Sequence, residues 1–234
     1  MNEPEPDFST GAYLCPRINR EGLKFGMIAL AAAVVYSIFA TGWMLLLVLP
    51  LYLLAYGVFM FFRDPERYQP DDAKAILSPA DGRVCLVQEC PLPDSFGEME
   101  EFKDRKFCRV SVFMSVLDVH VNRLPTDGEI LKKEYVPGKF VNASLDKASK
   151  DNERCNYLVK TPGGQIYAVT QIAGLVARRI VPQVEEGQSL KRAERFGLIR
   201  FGSRLDVYLP EGVASEVRVG QTMVAGETVL GHLV

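Results

Sequence analysis

The chain has 234 residues, a formal charge of −2 and five cysteines. That length holds one sizeable domain plus an additional segment, and the near-neutral charge excludes nucleic-acid binding through bulk electrostatics. Cys15, Cys85, Cys90, Cys108 and Cys155 are odd in number and form no CxxC pair, so they read as reduced structural thiols in a cytosol-facing domain; with His120 and His232 as the chain's two histidines, no metal site is expected.

Residues 1–24 form an N-terminal segment, and from Phe25 to Phe62 there is no charged residue. One helix over that stretch would run about 57 Å, whereas a bilayer core is about 30 Å thick. Two helices joined near Thr41-Gly42 fit better, with Pro50 kinking or locally breaking the second. Arg17, Arg20 and Lys24 precede the run, and Arg63 and Arg67 follow it. Basic residues on both flanks suit a hairpin with both ends on the cytoplasmic face of the cell membrane. The run is too long for a signal peptide and is not followed by a small-residue cleavage site. A buried core helix, or a hairpin that enters the membrane without crossing it, stays open as an alternative.

Residues 63–234 form the second part, opening on the polar, Pro-punctuated Arg63 to Pro70. Strands are predicted at Gly82 to Val87, Phe107 to Met114, Gly128 to Tyr135, Tyr157 to Lys160, Ile166 to Ile172, Phe196 to Phe201, Leu205 to Leu209 and Thr228 to Leu230. Turn signals at Asp81-Gly82, Thr126-Asp127-Gly128, Pro162-Gly163-Gly164 and Pro210-Glu211-Gly212 separate them. One helix is predicted around Gly174 to Val184. The expected fold is mostly β (α+β): an antiparallel-sheet, barrel-sandwich-like domain behind an N-terminal membrane helical hairpin. Val217 to Val229 is similar to the capping hairpin of biotinyl and lipoyl domains, and Ser78 to Val84 to their opening strand. Neither has a modifiable lysine at a hairpin tip, so the likeness bears on architecture and not on a carrier role.

Three residues could carry chemistry. Serine is a weak nucleophile unless a base takes its proton, and Ser203 follows Gly202, whose missing side chain permits close approach to its carbonyl. Attack of Ser203 Oγ on that carbonyl would turn the amide into an ester. Loss of the Ser203 α-proton and hydrolysis would then leave a pyruvoyl group. The plain alternative is a hairpin turn between the strands ending at Phe201 and starting at Leu205. His120 titrates in the range that suits a general base and acid, or is a strand histidine bonded to backbone. Asp118, two positions earlier, would share its face on a strand and could orient the ring. Asp81 is either an ordinary turn residue or an acid that orients a histidine.

Several segments match one family in order. Phe-Phe-Arg-Asp-Pro stands at Phe61 to Pro65 and Ser-Pro-Ala-Asp-Gly at Ser78 to Gly82. Met-Ser-x-x-Asp-Val-His-x-Asn-Arg stands at Met114 to Arg123, and Asn-Ala-Ser-x-Asp-Lys-Ala-Ser-x-x-Asn-Glu-Arg at Asn142 to Arg154. Gln-Ile-Ala-Gly-x-x-Ala-Arg-Arg-Ile occupies Gln171 to Ile180, and Arg-Phe-Gly-x-Ile-Arg-Phe-Gly-Ser-Arg occupies Arg195 to Arg204. From residue 61 onward the chain resembles the short, pyruvoyl-dependent form of phosphatidylserine decarboxylase. The resemblance implies self-cleavage between Gly202 and Ser203 into residues 1–202 (β chain) and 203–234 (α chain), which stay together as a heterodimer; such heterodimers often pair. It implies a covalent pyruvoyl cofactor made from Ser203, a maturation triad of Asp81, His120 and Ser203, and decarboxylation of phosphatidylserine to phosphatidylethanolamine through a Schiff base. Longer members have a second histidine where this chain has Arg123, which leaves open whether His120 serves both maturation and decarboxylation.

Arg123, Arg178 and Arg179 are candidate contacts for the substrate's carboxylate or phosphate, since a guanidinium bonds such oxygens in pairs. Asn142, Lys147 and Arg154 lie in the matched segments, and their spacing suggests no role. Two other functions compete. A membrane-anchored Ser-His-Asp hydrolase would need a Gly-x-Ser-x-Gly elbow, which Phe201 to Leu205 lacks. A noncatalytic scaffold would leave the serine intact.

Overall fold

The computed structural model describes residues 17–138, 151–174, 179–200 and 203–234. It divides into two compact units, the first ending at Glu66 and the second starting at Arg67.

The first unit is a helical hairpin. Helix α1 spans Arg20–Phe39, and the Asn19 side chain caps it by accepting from the Glu21 amide at 3.0 Å. A 3-10 stretch, Gly42–Leu47, gives way to helix α2, Val48–Phe61, two residues before Pro50. Proline is tolerated there because amides in the first helical turn need no intrahelical acceptor. The reversal therefore falls at Gly42, with φ 54°, close to the expected place. Gly22 and Gly26 let the helices approach: a Cβ on Gly22 would lie 2.1 Å from Phe62 Cβ, and one on Gly26 2.3 Å from Phe59 Cε1. The short strands β1 (Arg17–Ile18) and β2 (Arg63–Asp64) pair antiparallel and close the base. Arg20–Phe39 and Gly42–Phe61, of 20 residues each, are long and apolar enough to cross a membrane. Large side chains such as Phe39, Trp43 and Leu46 are exposed.

The second unit is built on an open, antiparallel eight-stranded sheet. Its strands in chain order are β4 (Gly82–Cys90), β5 (Phe107–Met114), β7 (Gly128–Val136), β8 (Arg154–Lys160), β9 (Ile166–Ala173), β11 (Ser189–Leu190), β13 (Ser203–Tyr208) and β14 (Thr222–Met223). Their spatial order is β11-β7-β8-β9-β13-β5-β4-β14, with β11 and β14 at free edges, so the sheet does not close into a barrel. A three-stranded sheet holds β10 (Arg179–Pro182), β12 (Arg195–Arg200) and β6 (Val121–Arg123) in the order β10-β12-β6. A two-stranded sheet pairs β3 (Ala75–Leu77) with β15 (Val229–His232).

The main core joins Val110, Val112, Val169 and Leu205 of the large sheet to Ile180, Phe196 and Ile199 of the three-stranded one and to Ile76 and Leu230 of the two-stranded one. The other face of the large sheet is covered in part by residues 91–106, including helix α3 (Asp94–Gly97); Leu92, Phe96 and Phe102 pack on Phe107, Leu158, Ala168 and Tyr208. The helix expected around Gly174 to Val184 is not formed where it is described: Arg179–Pro182 is β10, paired with β12. The β-branched pair Ile180-Val181 suits that pleated position.

Among the described residues, Cys85, Cys90, Cys108 and Cys155 form no disulfide, and Cys15 lies outside the described residues. Burial pushes the Cys155 thiol up to about 11 and also raises Cys85 and Cys108, so none of the three favours the reactive thiolate.

His232 bridges two carboxylates, with Nδ1 on Glu216 and Nε2 3.1 Å from Asp72. The Glu216 bond is the main cause of its raised pKa. A histidine raised in the folded state adds stability that is complete below the unfolded value of about 6.5 and is lost as pH rises through the folded value. Thermal unfolding between about pH 6 and pH 8 should therefore show His232→Gln losing less stability than wild type as pH rises.

Candidate active site

Ser203 opens β13 and is fully buried. It stands between Met114, the last residue of β5, and Ala173, the last residue of β9. Three chain crossings between the large and three-stranded sheets meet at this end. The chain leaves β5 at Met114 and enters β6 at Val121. It leaves β9 at Ala173 and enters β10 at Arg179. It leaves β12 at Arg200 and enters β13 at Ser203. Because β13 pairs with β5 while β12 pairs with β6, the strand ends on either side of the first and third crossings are neighbours. The Ile199 amide donates to the His120 carbonyl at 3.3 Å on one side of the crossing, and Ser203 faces Met114 on the other. Ser203 thus lies at a sheet corner: β12 and β13 belong to different sheets and form no hairpin. Gly202 lies outside the described residues.

His120 is buried at the same corner. Its Nδ1 lies 2.9 Å from the Asp118 carbonyl. A carbonyl only accepts, so Nδ1 carries the proton of the neutral ring and Nε2 is the nitrogen that takes one up. Asp118 does not share a strand face with His120, and it is its main-chain carbonyl, not its side chain, that holds the ring. Its carboxylate instead accepts from the Ser115 amide at 2.8 Å, and residues 115–120 form a turn, not a strand.

Asp81 comes to the corner from another direction. The Pro79 carbonyl accepts from the Arg123 amide at 2.9 Å, tying this segment to β6. Gly82, with φ 137°, packs so tightly on β5 that a Cβ would lie 2.1 Å from the Phe113 carbonyl oxygen and 3.2 Å from Met114 Cα. The Asp81-Gly82 turn therefore abuts the residue that faces Ser203. The carboxylate of Asp81 accepts from Arg67 at 2.7 Å and from the Ala225 amide at 2.8 Å. Among the described residues, the hydrogen bonds of Asp81 go to these two groups, and that of the Ser203 hydroxyl goes to Met114 Sδ at 3.9 Å. The corner gathers Asp81, His120 and Ser203, and among the described residues Asp81 and Ser203 bond to other groups than each other.

Beneath Ser203 runs a chain of buried polar side chains that spacing does not reveal. Tyr157 donates to Gln171 Oε1 at 2.8 Å, Gln171 Nε2 donates to Asn122 Oδ1 at 2.8 Å, and Asn122 Nδ2 meets Met114 Sδ at 3.6 Å. Burial raises the Tyr157 pKa, which keeps the phenol protonated as a donor. Each buried polar group needs such a partner, because leaving one unpaired costs about 1–3 kcal/mol. Gly197 leaves room for the amide, since a Cβ there would sit 3.0 Å from Gln171 Nε2.

On the opposite face of β13, Arg204 donates to Asp206 at 2.6 and 3.0 Å and to Ser111 at 2.9 Å, all three residues being buried. Burial works against the Arg204 cation, but the Asp206 carboxylate outweighs it and holds the pKa above the ordinary value. Removing one member of such a pair costs about 3–5 kcal/mol, because the other charge stays buried. The residue directly after Ser203 is thereby fixed to its own strand.

Of the candidate substrate contacts, Arg123 is buried with Nη1 3.1 Å from the Ala193 carbonyl. Arg179 is exposed at the start of β10, and Arg178 lies outside the described residues. Glu153, which spacing alone did not single out, is buried at the corner: its Oε1 accepts from the Ile180 amide at 3.3 Å, and its carbonyl accepts from the Ala173 amide at 2.9 Å. Burial and then the Glu153 carboxylate raise the pKa of neighbouring Tyr135. Arg154 lies in β8; Asn142 and Lys147 are outside the described residues.

The family model for phosphatidylserine decarboxylase matches residues 54–231. A Zymomonas mobilis protein named phosphatidylserine decarboxylase proenzyme is 49% identical over 218 residues, covering 93% of this chain and 87% of the relative. Proteins of the same name from Erythrobacter litoralis and Pelagibacter ubique are 51% and 48% identical, covering 93% and 92% of this chain and 88% and 96% of the relatives. The chain belongs to the phosphatidylserine decarboxylase family. It is accordingly a decarboxylase of phospholipid metabolism.

Proposed function

We propose that the chain cleaves its own Gly202-Ser203 bond, converts Ser203 to a pyruvoyl group, and with it decarboxylates phosphatidylserine to phosphatidylethanolamine. The observation that carries this reading is the placement of Ser203, buried at the first position of β13, at the same sheet corner as His120. The name proenzyme, carried by the relatives, agrees with a chain that matures by processing.

His120 Nε2 takes the proton of Ser203 Oγ, and Oγ attacks the Gly202 carbonyl carbon. His120 returns that proton to the amide nitrogen, which leaves as the free amine of residue 203, and an ester now joins residues 202 and 203. Removal of the Ser203 α-proton expels the Gly202 carboxylate and leaves a dehydroalanine. Its imine form adds water and releases ammonia, so residues 203–234 begin with a pyruvoyl cap and residues 1–202 end in a carboxylate. Asp81 is the third member of this machinery, placed beside Met114 by its turn.

The site suits a small ketone. The side chain of residue 203 is enclosed, faces the soft Met114 sulfur and needs no charged partner. The group supplies an electron sink for the pair released as CO₂ leaves. The ladders from β13 to β5 and β9 hold the new chain start, and the Arg204–Asp206 pair stops it fraying. His120 returns a proton to the carbon that lost CO₂. Arg123, Arg178 and Arg179 are the cations assigned to the head group, and the two apolar helices hold the enzyme on the cytoplasmic face of the membrane. The two fragments remain one heterodimer through the shared sheet, and two heterodimers pair.

The test is product analysis with purified full-length protein and phosphatidylserine in detergent micelles. CO₂ and phosphatidylethanolamine should appear in equal amounts. Release of free serine or fatty acid without CO₂ would point to a hydrolase and overturn the reading.

A further inference from the structure

The turn that carries His120 also carries an apolar tip. Val116 is 53% exposed and Leu117 79% exposed. Elsewhere among the described residues of 67–234, the exposed large hydrophobics, Tyr68, Tyr135, Val219 and Val234, stand singly, which is ordinary for a protein surface. Val116-Leu117 is an adjacent pair on a turn pinned at its base. Ser115 accepts from the Asp118 amide at 3.0 Å through its carbonyl and from the Leu117 amide at 3.3 Å through its hydroxyl. Asp118 Oδ2 accepts from the Ser115 amide at 2.8 Å. The next two residues, Val119 and His120, are buried at 4% and 2% exposure. Within five residues the chain thus goes from two projecting aliphatic side chains to the enclosed imidazole. Asp118 links them, its carboxylate pinning the turn and its carbonyl holding His120 Nδ1.

We propose that the Val116-Leu117 tip is a membrane contact: it enters the interfacial layer of the bilayer that holds the substrate and seats the Ser203–His120 corner at head-group level. The inference rests on the proposed function, because a lipid whose serine head group must reach this corner keeps its acyl chains in the bilayer. Aliphatic side chains lose contact with water on entering that layer. The continuous hydrogen bonding from tip to imidazole makes the depth of the tip set the height of the catalytic corner. The two apolar helices keep the chain on the membrane; the tip governs access of bilayer lipid to the site.

The experiment compares wild type with the Val116→Ser/Leu117→Ser double variant, both full-length, on two substrates. One is phosphatidylserine in phosphatidylcholine vesicles into which the protein is reconstituted; the other is short-chain phosphatidylserine kept monomeric in detergent-free solution. Equal conversion to two fragments checks that the variant folds and matures. The expected result is a fall of about tenfold on vesicles, the size set by returning one or two aliphatic side chains to water, with activity on the monomeric lipid within about twofold. As a second measurement, Leu117→Trp in a Trp43→Phe background should give blue-shifted emission quenched by brominated phosphatidylcholine. Equal losses on both substrates, or an emission like that of tryptophan in water and insensitive to brominated lipid, would overturn the proposal. Failure of wild type on both substrates would instead refute the proposed function.

Discussion

Ser203→Ala should leave the protein as one polypeptide of 26.1 kDa with no decarboxylase activity. The residue is buried at the head of a central strand, and alanine fits a strand face already lined by Met114 and Ala173. The lost hydrogen bond is a weak one, to sulfur at 3.9 Å, so folding should be affected by less than about 1 kcal/mol. The chemical loss is total by contrast. Without Oγ no nucleophile attacks residue 202, no ester forms and no ketone is made. A denaturing gel and a CO₂-release assay on the variant check both consequences. Cleavage at the same bond in the alanine variant would show that another group performs it.

His120→Gln should slow processing by about 100- to 10,000-fold, the usual contribution of a positioned general base. Glutamine can still donate to the Asp118 carbonyl, which neutral His120 reaches at 2.9 Å, but has no nitrogen that takes up a proton. The decay of unprocessed chain after synthesis, followed by gel at fixed pH, measures the effect. The circular dichroism spectrum should match wild type, separating lost chemistry from lost fold. Wild-type processing speed in this variant would remove His120 from the maturation step.

The sequence made some of this architecture readable and concealed other parts, for definite reasons. Phe107 to Met114 and Gly128 to Tyr135 read as strands because turn signals bound them and their composition is β-prone. Val121–Arg123 and Ala75–Leu77 were missed because every residue in them is buried. A short strand enclosed on both faces has no period-two signal. Around Gly174 to Val184 a helical reading gave way to pairing with β12, a tertiary contact that local pattern does not encode. The hairpin, its reversal near Gly42 and both apolar helices were legible from charge and length.

The site was legible as residue types and not as geometry. Ser203, His120 and Asp81 stand out in the sequence as a possible nucleophile, base and acid. Their meeting at one corner depends on three strand crossings that only the fold defines. The engagement of Asp81 by Arg67, and the use of Asp118's carbonyl to hold the ring, depend on side-chain directions that spacing does not set. The buried series Tyr157, Gln171, Asn122 and Met114 joins residues from four strands, and no local pattern announces it.

Intact mass of the purified wild-type protein is the most direct test. Two polypeptides are predicted, residues 1–202 with an ordinary carboxylate end and residues 203–234 whose first residue resists amino-terminal sequencing and gains the mass of one hydrazone on treatment with phenylhydrazine. A single full-length chain that takes up no hydrazine, in a preparation that nonetheless decarboxylates phosphatidylserine, would contradict the assignment of Ser203 as the source of the reactive group.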